Sequence, residues 1–364
     1  VSSCTSAGGG AASAAAGAAN QAGLLALLER LKNNPKRLGE QSKDPIRVAA
    51  VDRAQTLVPQ LEGSADARRD FILLLRGILN PNDAHAEDAS LEFFSQDPEA
   101  IFQAMASPVN APLAVSAGGA ADLGGGGGAA SLGAHRTTTP AGGAAGLGDI
   151  FSGIKSGAIR FLNYLAYYEM KKRAGTVGQK GVGPMLDRLA GNVQRIHLVG
   201  HSFGCRVVTA AAATSTTDKL QSMSLLQGAF SHNGFSKSMG GFFRSVVDNH
   251  RIKGPIVITY TPNDRAVGIA YPVASRLAGT VASAFGDAND KFGGLGRNGA
   301  QKMEQGEVVQ GVDRLLAVGG SYSWQSGRFH NLESSKYIID PNGGDAHGFV
   351  TGKEVAWAIS RAMA

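Results

Sequence analysis

Cysteine is nearly absent from this 364-residue chain, which has only Cys4 and Cys205. A disulfide framework is therefore excluded as a source of stability, and such sparing use fits a reducing compartment, so a cytoplasmic location is expected. Long apolar runs are also missing. No stretch approaches the roughly 18 residues that a membrane-crossing helix requires, and no transmembrane segment is expected. Charge of one sign is in short supply too, since 35 Lys and Arg stand against 29 Asp and Glu for a net +6. The densest basic cluster, Lys171, Lys172 and Arg173, reads as a solvated helix end rather than a nucleic-acid face. Cys and His spacing offers no zinc pattern, and no G-x-x-x-x-G-K phosphate loop occurs, so no metal or cofactor is expected. The G-x-G at Gly294–Gly296 follows no strand and completes no fingerprint, which argues against dinucleotide binding. The first residues, VSSCTSAGGGAASAAAG, lack the basic and apolar regions of a signal peptide. Because the chain opens on Val1 rather than Met, processing or truncation upstream is an expectation.

Glycine is what the chain has in plenty, at 50 residues, and its clusters mark boundaries. Residues 1–20 are Ala, Gly and Ser, with too little apolar surface to offset the entropy of ordering, and should form a flexible leader. Residues 21–106 read as a helical region placed to serve as a cap. Leu24, Leu25, Leu27, Leu28 and Leu31 share one helical face, and further helices are expected from about Arg68 to Leu79 and from Pro98 to Met105. Ile46–Val51 is the one strand candidate there. Residues 107–148, with five successive glycines at Gly124–Gly128, form a Gly/Ala-rich linker or insertion. Structure should resume with Asp149 as an N-cap. Ile150, Ile154, Phe161, Leu162 and Leu165 then repeat at helical spacing, and Gly175 is the expected stop. The aromatic residues Phe161, Tyr164, Tyr167 and Tyr168 on this helix suit packing against a sheet better than a membrane surface. A short helix around Val182–Leu189 completes the approach.

From 149 to 364 the pattern is α/β, with a mainly parallel sheet flanked by helices. The organising stretch is Gln194–Val208, QRIHLVGHSFGCRVV. Ile196–Val199 has the character of a buried parallel strand, and the small-residue run after Cys205 reads as a helix. Between them Gly200, His201, Ser202, Phe203 and Gly204 spell G-x-S-x-G, in which two glycines permit strand and helix to approach around a strained serine whose Oγ stands at the apex. Further strands are expected over Met223–Phe230, Pro255–Thr261 and Tyr337–Ile339. In the residues HLVGHSFG the chain resembles the α/β-hydrolase superfamily. The runs YYEMKKRAGTVGQKGVGPMLDRL, LLQGAFSHNGF, TPNDRAVGIAYPVASRL and GGLGRNGAQ extend the resemblance to a little-described group of bacterial α/β-hydrolase-like proteins, over roughly Gly148–Ala364.

That resemblance implies an α/β-hydrolase-like fold and a Ser-His-acid mechanism with the acid and then the histidine downstream of the serine. Asp264, in the loop directly after the third strand run, takes the place where the superfamily presents its acid; Asp313 and Asp345 are weaker candidates. His347, in the Gly-rich loop before the last helix, takes the place of the base, with His330 as runner-up. His201 and His232 could line the pocket, and His197 reads as a packing residue. Phe203 supplies one oxyanion-hole N–H by its position after the serine. The second donor is not visible: neither His85 nor His135 is followed by glycine, so the core could lack its first strands. The resulting expectation is a serine hydrolase acting on small-molecule or lipid-like carboxylic esters through an acyl-enzyme. An acyltransferase or peptidase using the same triad stays open, as does a non-catalytic binding or scaffold protein that keeps the fold.

Overall fold

The computed structural model describes residues 8–33, 44–85, 90–106, 154–267, 288, 291–310 and 313–364. The expected linker at 107–148 and the Asp149 cap lie outside these residues. The described residues divide into two compact units, one of 8–33, 44–80, 96–106 and 154–169, the other of 81–85, 90–95, 170–267, 288, 291–310 and 313–364.

The first unit is helical. It contains α1 (Gly8–Asn33), α2 (Pro45–Leu57) and α3 (Ala65–Arg76); α4 (Ser90–Ser95) falls in the second unit, α5 (Pro98–Ala106) in the first, and α6 (Ile154–Val177) contributes residues to both. α1 begins at Gly8, inside the leader expected to be flexible. Ile46–Val51, the strand candidate, is helix instead. Asp44 caps it by accepting the Ile46 N–H at 2.9 Å, and Pro45 occupies the first turn, where its missing N–H is no loss. The buried positions Val51, Ala54 and Val58 then recur at steps of three and four, the helical period, while Ile46 is left 79% exposed. Phe71 joins the helices by meeting Phe102 edge-on and Phe161 at a tilt, each with a centroid separation of 6.3 Å. Arg68 grips Glu99 through Nε and Nη2 at 2.8 and 2.6 Å.

The second unit is built on a four-stranded parallel sheet, with α7 (Gly183–Leu189) before it and strands β1 (Ile196–His201), β2 (Leu220–Leu226), β3 (Ile256–Tyr260) and β4 (Phe329–Glu333) in the spatial order β1-β2-β3-β4. Helix α8 (Phe203–Thr214) links β1 to β2, α9 (Arg244–Asp248) lies between β2 and β3, α10 (Leu295–Asn298) between β3 and β4, and α11 (Lys353–Met363) closes the chain. Alternation along each strand divides the core. Met223, Leu225, Ile256, Ile258 and Phe329 pack with Cys205, Phe230, Phe235 and Phe243. Leu226, Val257 and Leu332 pack with Val355 and Ala358 of α11. In the register His201 pairs with Leu226, Leu226 with Thr259 and Thr259 with Leu332, which brings the carboxyl ends of all four strands to one edge of the sheet. Among the described residues no strand precedes β1.

Several boundaries differ from expectation, among them β2, which ends at Leu226 where a strand over Met223–Phe230 was expected. The last strand is not Tyr337–Ile339, which forms a turn with the Tyr337 and Ile338 amides both donating to the Ser334 carbonyl; it is Phe329–Glu333. Its polar residues are tolerated inside a sheet because they are satisfied. Asn331 exchanges hydrogen bonds with the Ala300 backbone at 2.9 and 3.0 Å, and His330 bonds Asp313. Nor does Gly175 end its helix. The chain runs on to Val177 and through a π-helical turn, Gly178–Val182. A Cβ at Gly178 would lie 2.3 Å from the Val207 carbonyl oxygen, so close packing on α8 holds this turn in place of a stop.

Candidate active site

Ser202 sits between β1 and α8 with φ 56° and ψ −127°, a left-handed conformation that costs a non-glycine residue about 1–3 kcal/mol. The fold holds it there. The Ser202 N–H donates to the Leu226 carbonyl at 3.1 Å, and the Ser202 carbonyl accepts from the Ala229 and Cys205 amides, both at 3.1 Å. The two glycines of the motif are unequal. A Cβ at Gly200 would lie 2.6 Å from the Cys205 nitrogen, whereas one at Gly204 would meet nothing within 4 Å. Only Gly200 is demanded by the close approach of strand and helix.

Two further chain segments complete a relay with this serine. His347, in the loop before α11, places Nε2 2.8 Å from Ser202 Oγ and Nδ1 2.9 Å from Asp264 Oδ2. Asp264 follows β3 and is fully buried, and its other oxygen accepts the Val267 N–H at 3.0 Å. A carboxylate accepts only, so the proton between Asp264 and His347 belongs to Nδ1, and the Nε2 lone pair is left facing the Ser202 hydroxyl. That is the geometry in which a hydroxyl can be deprotonated as it attacks an electrophile. Burial works against a charged His347 imidazole. The hydrogen bond and charge of Asp264, with a contribution from Asp345, outweigh it and hold its pKa above the ordinary histidine value.

The remaining candidates have other positions. Asp345 shapes the histidine loop: its Oδ1 accepts the Arg265 and His347 amides at 2.8 and 3.1 Å. Asp313 pairs with His330 Nδ1 at 3.0 Å, and His330 Nε2 accepts the Gln325 N–H at 3.1 Å, so both nitrogens of that ring are engaged within β4 and its neighbours. His201 packs beside the base. Its Nε2 donates to the His347 carbonyl at 2.9 Å, the rings are 4.9 Å apart, and burial lowers its pKa, which favours the neutral donor. His232 is fully enclosed, with Nδ1 3.1 Å from the Asn298 amide nitrogen and its ring pressed against Gly293. His197 Nδ1 meets Ser222 Oγ at 2.8 Å across the β1–β2 pair. Phe203 is the first residue of α8, directly after the serine. Cys205 is buried with Sγ against the Gly200 and Leu226 carbonyls, and desolvation pushes its thiol pKa up. Among the described residues no group of three or more His, Cys, Asp or Glu side chains is arranged around a common point for a metal ion.

One member of the constellation escaped sequence reasoning. Gln227, the residue after β2, is fully buried at φ 46°, and its Nε2 donates to Asp264 Oδ2 at 3.1 Å and to the Gly296 carbonyl at 2.9 Å. The sequence offered only an amide directly after the Leu225–Leu226 end of the strand; its place beside the serine strand comes from the register. No family model matches the chain, and no curated protein or solved structure is significantly similar to it.

Proposed function

We propose that the chain is a serine hydrolase of α/β-hydrolase type that cleaves carboxylic esters, with Ser202 as nucleophile, His347 as general base and Asp264 as its orienting acid. The observation that carries this reading is the unbroken relay from Ser202 Oγ through His347 to Asp264, at 2.8 and 2.9 Å, on a strained strand-to-helix turn. The chain order of serine after β1, aspartate after β3 and histidine between β4 and the last helix supports the superfamily assignment. Ser202 Oγ attacks the acyl carbon while His347 Nε2 takes its proton. Asp264 holds Nδ1–H and balances the imidazolium, and the Phe203 N–H receives the developing oxyanion. His347 then protonates the departing alcohol. Water, deprotonated by the same nitrogen, attacks the acyl-enzyme and releases the carboxylic acid with Ser202 restored.

The test is hydrolysis of p-nitrophenyl esters of increasing acyl length by the parent and by Ser202→Ala, each checked for folding by circular dichroism. Loss of kcat on the order of 10⁶-fold in the variant is expected. A folded parent that neither hydrolyses the series nor takes up a fluorophosphonate at Ser202 refutes the reading. Adding an alcohol or amine acceptor and analysing the products separates hydrolysis from acyl transfer, since both pass through the same acyl-enzyme.

A further inference from the structure

We propose that Gln227 is a positioning residue for the Asp264–His347 couple: its carboxamide fixes the rotation of the Asp264 carboxylate and shares the oxygen that accepts from His347. Three hydrogen bonds dictate the orientation of the amide. Thr259 Oγ1 donates to Gln227 Oε1 at 3.1 Å, and the Nε2 group gives its two protons to Gly296 O at 2.9 Å and Asp264 Oδ2 at 3.1 Å. A flipped amide would set its oxygen against a carbonyl and a carboxylate and its nitrogen against a hydroxyl donor, so the assignment has one solution. Asp264 Oδ2 therefore receives two donors, His347 Nδ1–H and Gln227 Nε2–H, while Oδ1 receives the Val267 amide.

The backbone supports the same role. Gln227 is fully buried and held at φ 46°, its N–H within 3.3 Å of both the Thr259 carbonyl and Thr259 Oγ1. Like Ser202 at the end of β1, it leaves the end of its strand through a left-handed residue. A strained, fully hydrogen-bonded amide that reaches only one charged group has that group's placement as its clearest consequence. Sharing Oδ2 also draws negative charge away from the imidazole, so Gln227 limits how strongly Asp264 holds the His347 proton. The other groups facing His347 are the His201 ring from β1, Ser202 Oγ, and Asp345 on its own loop, which also accepts the Arg265 N–H; Arg297 of α10 bonds the Pro262 and Asp264 carbonyls. Among the charged groups around His347, the Gln227 side chain bonds Asp264 alone.

The decisive variant is Gln227→Met, which keeps length and volume and removes both donors. Gly296 O retains the Thr261 N–H at 3.0 Å, which limits the damage elsewhere. Titration of the His347 ring followed by NMR should show its midpoint raised by about half a pH unit or more in the variant. Because the role rests on the hydrolase reading, the acidic limb of kcat/KM should move up with it, and kcat/KM should fall about five- to twentyfold with KM little changed. A His347 midpoint that stays put or falls overturns the inference whatever the activity. A raised midpoint in the variant, beside a parent that Ser202 fluorophosphonate labelling finds inert, leaves the positioning role standing and refutes the hydrolase reading alone. If Gln227→Met does not fold, the parent still decides the matter: a Gln227 side-chain amide proton must change chemical shift in step with the His347 titration, and one that does not respond overturns the proposal.

Discussion

Replacing Asp264 with asparagine changes one atom at a place where the described residues supply three donors and no acceptor partner. Oδ2 takes His347 Nδ1–H and Gln227 Nε2–H, and Oδ1 takes the Val267 N–H. Asparagine has one oxygen, so its NH2 group must face a donor in either orientation. With the oxygen at the Oδ2 position the Val267 amide is left facing another N–H; with the nitrogen there, Gln227 is opposed and His347 must adopt the tautomer that carries its proton on Nε2. The first pose keeps the base but removes its counter-charge, and the second removes the lone pair that faces Ser202. Each leaves one buried donor unsatisfied, which should lower stability by about 1–3 kcal/mol. Activity should fall much further, by about 10⁴-fold in kcat if the wrong tautomer dominates. The pH profile gives an independent reading. In the parent the His347 pKa is raised, so the acidic limb of kcat/KM should lie above the ordinary imidazole value. The same shift means that His347 protonation stabilises the fold below the unfolded pKa, a contribution lost as pH rises through the folded one. Without the Asp264 charge, burial is opposed only by the smaller contribution of Asp345, and the limb should move below the ordinary value. Ester hydrolysis across pH 5 to 9, with urea unfolding at each pH, measures both effects. A loss of activity under about tenfold, or an unmoved limb, would refute the assigned role of Asp264.

Ser202 was legible from its local motif, and Asp264 and His347 were preferred to their rivals by the places that the resemblance implies for the acid and the base. The serine has glycine two positions before it and a small-residue helix after it. The aspartate follows an uninterrupted β-branched run, and the histidine lies in a Gly- and Asp-rich turn before a helix. The coarse fold was legible too, since apolar runs alternating with helical or loop-like segments specify a parallel sheet. What was hidden depends on partners distant in sequence. β4 carries His330 and Asn331 in its interior, and only the bonds to Asp313 and the Ala300 backbone make that arrangement acceptable. Ile46–Val51 is a different case: its β-branched composition reads as a strand, although the competing helix signals, the Asp44–Pro45 start and the spacing of Val51, Ala54 and Val58, are local. The role of Gln227 could not be read at all without the register that sets β2 between the serine strand and the aspartate strand.

Two predictions concern the turn itself. Ser202→Gly should abolish ester hydrolysis yet raise unfolding free energy by about 1 kcal/mol, because glycine occupies φ 56° without strain; a chemical denaturation curve no more stable than the parent's would show that the conformation stores little energy. Gly200→Ala and Gly204→Ala should differ sharply, although both glycines belong to the same motif. At Gly200 the added methyl falls 2.6 Å from Cys205 N and from the Gly204 carbonyl carbon and oxygen. These are backbone atoms at the start of α8, which cannot swing aside, so β1 and α8 must part. That should cost about 2 kcal/mol or more and move Ser202 Oγ away from His347. At Gly204 nothing lies within 4 Å of the new methyl. Alanine there gains up to about 1 kcal/mol of helix propensity, and esterase activity should persist. Equal damage from the two variants, in stability or in turnover, would mean that the turn is held by something other than the contact between Gly200 and the first turn of α8.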